Sequence, residues 1–418
     1  MKKLGKRVVF LRMPRSLTAG TASEPRLSLF RMSHWRDRTE HDGRRIGHIQ
    51  TRKGSLATPF FMPDATRATV RGLTREDLER AGVEALVVNT YHLFLQPGEA
   101  LIRDAAELAR HNYGEGVVVG GIHEFMDWPH PVLSDSGGYQ VYSLIHQNPD
   151  LGRITEEGAE FRSVLDGSKH LLTPERSIQV QFDLGVDMMV VLDDPRPNDA
   201  SEEDIVSAVD RTLRWAKRCR EEYDRQVGAR GLTDQNRPLI FGVVQGGKML
   251  SERKRCAEGL VAIGFDGYGL GGRHIDTDGT FLEDIITAIP TYLPEDSIRF
   301  ALGVGTPDDI VRFHRVGWDM FDCVIPTREG RHGRLFIWKN ETPELSEDFY
   351  ETINIKNEQF TSDFTPVDPT CDCTLCTRYT RSYLKHLLKV GEPLALRLAS
   401  EHNLRFYMRL MERLRAEA

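Results

Sequence analysis

The stretch Met320–Gly333, M-F-D-C-V-I-P-T-R-E-G-R-H-G, carries the strongest local signal for the fold. Its apolar residues up to Ile325 predict the end of a buried strand, which Pro326 is expected to end. Asp322 lies inside this run, where a carboxylate costs free energy unless something uses it. A cationic, glycine-punctuated loop is expected to follow. The stretch therefore predicts either a nucleophile beside an anion-binding surface or a solvated turn with one hydrogen-bonded aspartate.

Short apolar segments alternate with longer amphipathic segments from about Phe30 onward. The predicted strands are Thr58–Met62, Ala85–Asn89, Val132–Ser134, Met188–Leu192, Leu239–Val244, Gly267–Leu270, Phe300–Val304 and Met320–Ile325. The predicted helices are Thr74–Ala81, Thr173–Leu184, Glu202–Arg220, Ser251–Ile263, Phe281–Ile289 and Thr306–Val316. This alternation predicts an α/β fold, a closed (β/α)8 TIM barrel over residues 30–340. A doubly wound sheet is the alternative, but no G-x-G-x-x-G turn follows the first strand.

Most of the predicted strands end in polar or glycine residues. These ends are Ser134–Gly138, Asp193–Asp194, Gln245–Gly247, Gly271–Gly272 and Asp322. Aspartate and glycine are also common in ordinary turns. In a parallel barrel, however, all strand ends meet on one face, where active sites are built. The repeated pattern therefore favours an active site at that face.

Composition and charge narrow the class of protein. The chain has 418 residues, is 40% hydrophobic and carries a net charge of -7, so it is not a uniformly basic nucleic-acid binder. The sequence has no apolar run long enough to span a membrane. Residues 1–45 nevertheless hold 12 Lys/Arg against 4 Asp/Glu. Residues 1–29 are expected to be a disordered basic extension, with a transit peptide or a misassigned start codon as alternatives.

Three cysteines are crowded into D-P-T-C-D-C-T-L-C, as Cys371, Cys373 and Cys376. This spacing predicts a zinc site rather than a disulfide framework, and it fits a reducing, cytoplasmic location. A fourth ligand is needed, and the spacing leaves both His386 and His402 open. A Cys3His set has no open position, so the zinc would be structural. The zinc ion would stabilise a subdomain over residues 341–418.

Together these stretches resemble a known family. They are N-T-Y-H-L (Asn89–Leu93), S-D-S-G-G-Y-Q-V-Y-S-L (Ser134–Leu144), G-V-V-Q-G-G (Gly242–Gly247), G-F-D-G-Y (Gly264–Tyr268), L-G-V-G-T-P-D-D (Leu302–Asp309), M-F-D-C-V-I-P-T-R (Met320–Arg328), and C-x-C-x-x-C with H-N-L-R-F-Y (His402–Tyr407). The chain resembles the tRNA-guanine transglycosylases of the bacterial queuosine type, from about Phe30 onward.

The resemblance implies an enzyme that exchanges guanine at wobble position 34 of GUN-anticodon tRNAs. The incoming base would be a 7-deazaguanine, either 7-aminomethyl-7-deazaguanine or queuine. Asp322 would be the nucleophile of a covalent Asp–ribose intermediate, and Asp135 the general acid/base. The implied base contacts are Asp193, Ser136, Tyr139, Gln245 and Gly272; the implied tRNA contacts are Thr327, Arg328 and Arg331. The implied zinc ligands are Cys371, Cys373, Cys376 and His402, and a homodimer is expected.

This sequence departs from the family pattern near the expected site. Asp64 stands where an apolar residue is usual, and Pro195 follows Asp193-Asp194. The loop Gly271–Thr277 carries Arg273 and His274, which either narrow the base site, contact a larger substituent or point to solvent. An insertion at 111–122 has no functional explanation. Two alternative functions remain: a non-catalytic tRNA-binding partner subunit, and a transglycosylase acting on another nucleic-acid position.

Overall fold

Eight short parallel strands form one sheet at the centre of the structure. This computed structural model describes residues 34–105, 121–339, 345 and 348–417. The predicted extension 1–29 and residues 111–120 of the predicted insertion lie outside the described residues. The described residues group into one unit by their contacts. The division into a barrel up to residue 340 and a subdomain after it stays a prediction.

The eight strands follow one another around the sheet. They are β1 (Phe60–Pro63), β2 (Leu86–Val88), β3 (Val132–Ser134), β4 (Met188–Val190), β5 (Leu239–Val244), β6 (Gly267–Leu270), β7 (Ile298–Ala301) and β8 (Met320–Cys323). Neighbouring strands pair in parallel, β8 pairs with β1, and a parallel bridge between Asp64 and Val87 joins β1 to β2. The predicted barrel is therefore confirmed, and the doubly wound alternative is wrong.

Helices lie between the strands and continue after them. Their bounds are Arg75–Ala81, Thr90–Leu95, Ile122–Met126, Gly138–Gln147, Pro174–Leu184, Glu202–Ala229, Leu250–Ile263, Glu283–Thr291, Pro307–Arg315, Ile325–His332, Thr374–Arg378, Arg381–Val390 and Pro393–Ala416. Thr173, Ser201 and Thr306 accept hydrogen bonds from backbone N–H groups in the first turns of their helices. In the described part of the chain, no helix is both long and apolar enough to cross a membrane.

Smaller sheets, which the sequence did not predict, flank the barrel. They are Trp35–His41 with Arg44–Thr51 and Gly54–Thr58, Gly152–Ile154 with Ala159–Arg162 and Lys169–Leu172, and the hairpin of Arg334–Trp338 with Tyr350–Asn354. Trp35, Ile49 and Leu56 of the first sheet pack against the apolar interior of the barrel. Since Gly54–Thr58 leads directly into β1, this sheet covers the end of the barrel where the strands begin.

Buried aspartates hold the strands at that same end. Asp187, Asp266 and Asp319 precede β4, β6 and β8. Each carboxylate accepts a hydrogen bond from a backbone N–H group of the neighbouring strand at 2.7–2.9 Å. Each also lies within 2.7–3.1 Å of an arginine nitrogen. Because these carboxylates are paired and hydrogen-bonded, they stabilise the pairing of neighbouring strands at the end where the strands begin. The opposite face, where the strands end, does not depend on them for polar groups.

The stretch Met320–Gly333 differs from its prediction after the strand. The strand ends at Cys323, and Ile325–His332 is a helix with Pro326 in its first turn, so the predicted loop is wrong. Proline suits that position because its nitrogen needs no acceptor. A Cβ atom at Gly330 would lie only 2.7 Å from the carbonyl O of Ala399. Gly333 ends the helix with a φ of +89°. These glycines serve helix packing and helix termination.

Other boundaries shift less. The seventh strand is Ile298–Ala301 rather than Phe300–Val304, and the helix predicted to begin at Phe281 begins at Glu283. The helix that begins at Glu202 continues to Ala229 rather than ending at Arg220. The extension is amphipathic, with the helical period of 3.6 residues. Its charged face is exposed, whereas Glu222 and Tyr223 are buried.

Candidate active site and metal centre

Every second side chain of a barrel strand points inward, and these side chains form an inward-facing row. Where the rows reach the carboxyl ends of the strands, polar side chains replace apolar ones. In β8, Met320 packs in the barrel interior, and Asp322 is the next residue of that row. The same step leads from Leu133 to Asp135 after β3. Asp135 and Asp322 line one cavity of about 640 Å³. The structure thus brings the two predicted catalytic carboxyl groups to one site.

Four donors surround the Asp135 carboxyl group. The backbone N–H groups of Thr90 and Gly137 donate to Oδ1 at 2.9 and 3.1 Å. The side-chain amides of Asn89 and Gln140 donate to Oδ2. Despite these hydrogen bonds, burial raises the pKa of Asp135 to about 7. The carboxyl group is therefore held in one orientation and exchanges its proton near neutral pH.

Asp322 has a sparser environment. Its Oδ1 accepts a hydrogen bond of 2.8 Å from the backbone N–H of Gly303, in the loop after β7. Burial, with smaller contributions from the charges of Asp64 and Asp135, raises the pKa of Asp322 to about 7. Since both carboxyl groups have pKa values of about 7, the pair holds about one proton on average near neutral pH.

The predicted base contacts line the other side of this cavity. Asp193 Oδ2 accepts a hydrogen bond of 2.6 Å from Gln245 Nε2, and burial raises the pKa of Asp193 to about 6. Ser136 is buried, and Gly272 presents backbone with a φ of +82°. Tyr139 is 57% exposed on the first turn of its helix, with its ring at the cavity. Polar edge contacts beside an exposed ring suit a planar heterocycle.

A buried arginine supports this side of the cavity. Arg253 is 1% exposed; its Nη1 donates to the carbonyl O atoms of Val244 and Gly271, and its Nε donates to that of Gly247. Within the described residues, no carboxylate forms an ion pair with it. Arg253 therefore joins the ends of β5 and β6, which carry Gln245 and Gly272. Sequence reasoning missed Arg253, because an arginine in an amphipathic helix normally indicates a solvated face.

Residues that hold Asp135 were also missed as functional residues. Asn89 and Gln140 lie within the motifs that resemble the family, but those motifs gave no indication of a role for either residue. Asn89 had a detectable signal, since it follows β2 directly and therefore lies on the same face as Asp135. Gln140 had none, because its contact depends on how the helix Gly138–Gln147 meets the barrel.

The three predicted tRNA contacts occupy different environments on the helix Ile325–His332. Arg328 lines the cavity and its side chain is 50% exposed. Arg331 is half-buried, and burial lowers its pKa. Thr327 is 1% exposed and its hydroxyl donates to the carbonyl O of Val324. The contact of Thr327 is therefore within its own helix, and all three tRNA roles stay predictions.

The residues that depart from the family pattern lie at this cavity. Asp64, Pro195, Arg273 and His274 all line it. His274 Nε2 lies 3.0 Å from Asp309 Oδ2, and its ring contacts Phe313 edge-on. The alternative that both loop residues point to solvent is therefore wrong for His274, whereas Arg273 is exposed.

Three cysteines and one histidine form a second, separate cluster. The ligand atoms of Cys371, Cys373, Cys376 and His402 lie within 4.8 Å of one another, and all four residues are buried. His402 Nε2 lies 2.9 Å from the carbonyl O of Phe336, so Nε2 carries the hydrogen and Nδ1 faces the sulfur atoms. His386, the other candidate, is exposed and outside the cluster. Three thiolates and one imidazole nitrogen fit a tetrahedral metal ion.

The chain is similar to known proteins over nearly its whole length. A family model described as queuine tRNA-ribosyltransferase matches residues 40–417. Proteins of that name from Moorella thermoacetica and Pelotomaculum thermopropionicum are each 40% identical to this chain, over 380 and 377 residues. The matches cover 91% of each chain in the first case, and 90% of this chain and 91% of the relative in the second. The protein of that name from Halothermothrix orenii is 39% identical over 371 residues, 89% of each chain.

Proposed function

Because this chain belongs to the queuine tRNA-ribosyltransferase family, we propose that it exchanges guanine at position 34 of GUN-anticodon tRNAs for a 7-deazaguanine. It is then a pentosyltransferase of queuosine modification, and 7-aminomethyl-7-deazaguanine and queuine are the candidate bases. The observation that supports this most directly is that Asp135 and Asp322 line one cavity with Asp193 and Gln245. That cavity offers a nucleophile, a proton donor and polar contacts for a base.

The first half of the reaction uses the two carboxyl groups in different states. The Asp322 carboxylate attacks C1′ of the target ribose, and the C1′–N9 bond breaks with its electron pair leaving on guanine. Asp135 donates a proton to the departing base. Positive charge develops at C1′ before the new bond forms, as in retaining glycosidases, so an adjacent carboxylate lowers the barrier. The product is free guanine and an ester between Asp322 and ribose.

The second half reverses these steps with a different base. The incoming 7-deazaguanine loses its N9 proton to Asp135, and N9 attacks C1′ while the ester to Asp322 breaks. Asp193 accepts hydrogen bonds from the donor edge of either base, and Tyr139 offers its ring for stacking. Both half-reactions require the target base to leave the anticodon stack. No redox change occurs, so the chemistry balances without a further reactant.

The remaining features support the same enzyme. Arg328 and Arg331 form part of the surface for tRNA phosphates or anticodon bases. One structural zinc ion is held by Cys371, Cys373, Cys376 and His402. A homodimer and a cytoplasmic location follow from the family resemblance and stay predictions.

Capture of the covalent intermediate tests this proposal. The wild-type enzyme, incubated with anticodon stem–loop RNA, is expected to give an RNA adduct that survives denaturation, whereas Asp322→Asn gives none. Asp308→Asn is the matched control, because this half-buried carboxylate lies outside the catalytic cavity and accepts from Tyr350. Labelled guanine in the RNA, chased separately with each candidate base, identifies the incoming substrate. RNA binding without base exchange would instead favour the non-catalytic partner subunit.

A further inference from the structure

Besides Asp135, Asp193 and Asp322, the carboxylate of Asp64 also faces the catalytic cavity. Phe60 and Met62 of β1 both pack in the barrel interior, and Asp64 is the next residue of that inward-facing row. It lines the same cavity as Asp135 and Asp322 and is half-buried. The roles assigned above to the two catalytic carboxyl groups leave Asp64 without a function.

The position of Asp64 is held by the barrel itself. Asp64 pairs with Val87 of β2, and the backbone N–H of the next residue, Ala65, donates to the Val87 carbonyl O at 2.7 Å. On the other side, β1 pairs with β8, with Met62 opposite Asp322. Asp64 therefore stands on the strand beside the nucleophile, on the side that leads to Asp135. Its negative charge raises the pKa of both carboxyl groups.

Asp64 has an unused hydrogen-bonding oxygen. Its Oδ1 accepts from the backbone N–H of Thr66 at 2.6 Å and from the Thr66 hydroxyl. Over the ranges that the structure describes, no lysine, arginine or histidine lies within ion-pair distance of this carboxylate, and Thr66 supplies its hydrogen bonds. An ionised carboxylate only accepts hydrogen bonds, so its second oxygen requires a donor from water or from a bound substrate.

The hydroxyl group nearest to the reacting carbon supplies such a donor. We propose that Asp64 accepts a hydrogen bond from the ribose 2′-hydroxyl of the nucleotide that Asp322 attacks, and thereby selects RNA over DNA. The inference rests on the proposed function. The 2′-hydroxyl is on the carbon next to C1′, and β1 is the neighbour of the strand that carries Asp322. Hydrogen bonds to this hydroxyl strengthen as charge develops at C1′ in glycoside chemistry, and the same hydroxyl distinguishes RNA from DNA.

The test compares two substrates across three enzymes. The substrates are an anticodon stem–loop RNA and the same RNA with a single 2′-deoxyguanosine at the exchanged position. For the wild type, loss of the hydroxyl is expected to lower kcat/KM for guanine exchange about 10- to 100-fold, the size expected for a hydrogen bond to a charged group. For Asp64→Val, the kcat/KM values for the two substrates are expected to differ by less than about threefold. Asp64→Asn keeps an oxygen acceptor without the charge, so its ratio of kcat/KM values should lie between those of the wild type and Asp64→Val.

The outcomes separate this inference from the proposed function. Asp308→Asn is the matched control and should keep the wild-type ratio between the two substrates. Thermal melting establishes that the Asp64 variants fold, which their half-buried position favours. An unchanged ratio in Asp64→Val, or a wild-type enzyme indifferent to the deoxy substitution, overturns the role of Asp64 alone. Absence of exchange by the wild type on both RNAs overturns the proposed function and this inference with it.

Discussion

At the residue scale, the site depends on carboxyl groups that burial makes weak acids. Asp135 and Asp322 have similarly raised pKa values of about 7 but different surroundings, four donors against one. In the proposed reaction, the donors around Asp135 hold it in the orientation that proton transfer to a base requires. The sparser surroundings of Asp322 would leave one oxygen for attack on a sugar carbon. The proposed roles of these two like groups therefore follow from their neighbouring side chains.

The raised pKa of Asp322 has a consequence for stability. An unfolded aspartate has a pKa of about 4. The folded chain therefore binds this proton more tightly, so the stability that protonated Asp322 contributes is lost as the pH rises from about 4 to about 7. Asp322→Asn is expected to raise the Tm at pH 8 by about 2 °C. The difference should shrink as the pH falls towards 5, where folded Asp322 is protonated. Calorimetry across this pH range measures it, and a lower Tm at pH 8 would contradict the pKa assignment.

At the element scale, side chains outside the strands hold the carboxyl ends of the strands. Arg253, on the helix Leu250–Ile263, donates to backbone carbonyl groups after β5 and β6. Asn89 and Gln140 hold Asp135 from the two helices that follow β2 and β3. Adjacent loops at the cavity therefore share their supports.

Loss of the Arg253 contacts should act mainly on base binding. Arg253→Met leaves three backbone carbonyl groups without this donor, so the loops that carry Gln245 and Gly272 should loosen. The expected result is a KM for free guanine raised about tenfold, with a smaller change in the KM for RNA. Arg253→Lys retains a charge and at least one donor, and should restore part of the loss. A folded Arg253→Met enzyme with an unchanged KM for guanine would show that these loops keep their conformation without Arg253.

At the scale of the whole molecule, the C-terminal helix Pro393–Ala416 connects the Cys3His cluster to the face of the barrel that carries Asp322. It carries His402, and the next residue, Asn403, donates to the carbonyl O of Pro326 at 2.9 Å. Further along, Tyr407 donates to the carbonyl O of Gly305, in the loop that holds Asp322. The cysteines belong to an apolar cluster with Leu335, Leu375 and Leu398 among its members. The Cys3His cluster and the loop after β7 that contacts Asp322 thus share one helix.

Removal of the metal should therefore affect both regions. Cys373→Ser, or a strong chelator, is expected to lower the Tm and to weaken tRNA binding, because structural zinc sites contribute folding free energy directly. Metal analysis should find one zinc per wild-type chain and much less in Cys373→Ser. Cys219→Ser is the matched control, a buried free thiol outside the cluster, and should keep its zinc. A fully active wild-type enzyme without metal would refute a structural zinc ion.

Sequence patterns predicted most of the barrel and part of the site. Short apolar runs identified β3, β5 and β6 with their observed bounds, because those strands are buried along their whole length and are followed by glycine or polar residues. The sequence pattern failed after Pro326, where Gly330, which packs against Ala399, and Gly333, which ends the helix, resemble the glycines of a loop. The roles of Asp322 and Asp135 came from the family resemblance rather than from the pattern. Spacing alone left a solvated turn possible.

The sequence by itself determined the alternation of strands and helices, the polar ends of the strands and the three clustered cysteines, since each is a local pattern. Only the tertiary structure decided the rest. It brought His402, which the cysteine spacing could not select and only the family resemblance implied, to the sulfur atoms. It also buried Arg253 beneath two loops and turned Asp64 into the same cavity as Asp322. These outcomes depend on contacts between segments far apart in the chain, and closure of the barrel creates those contacts.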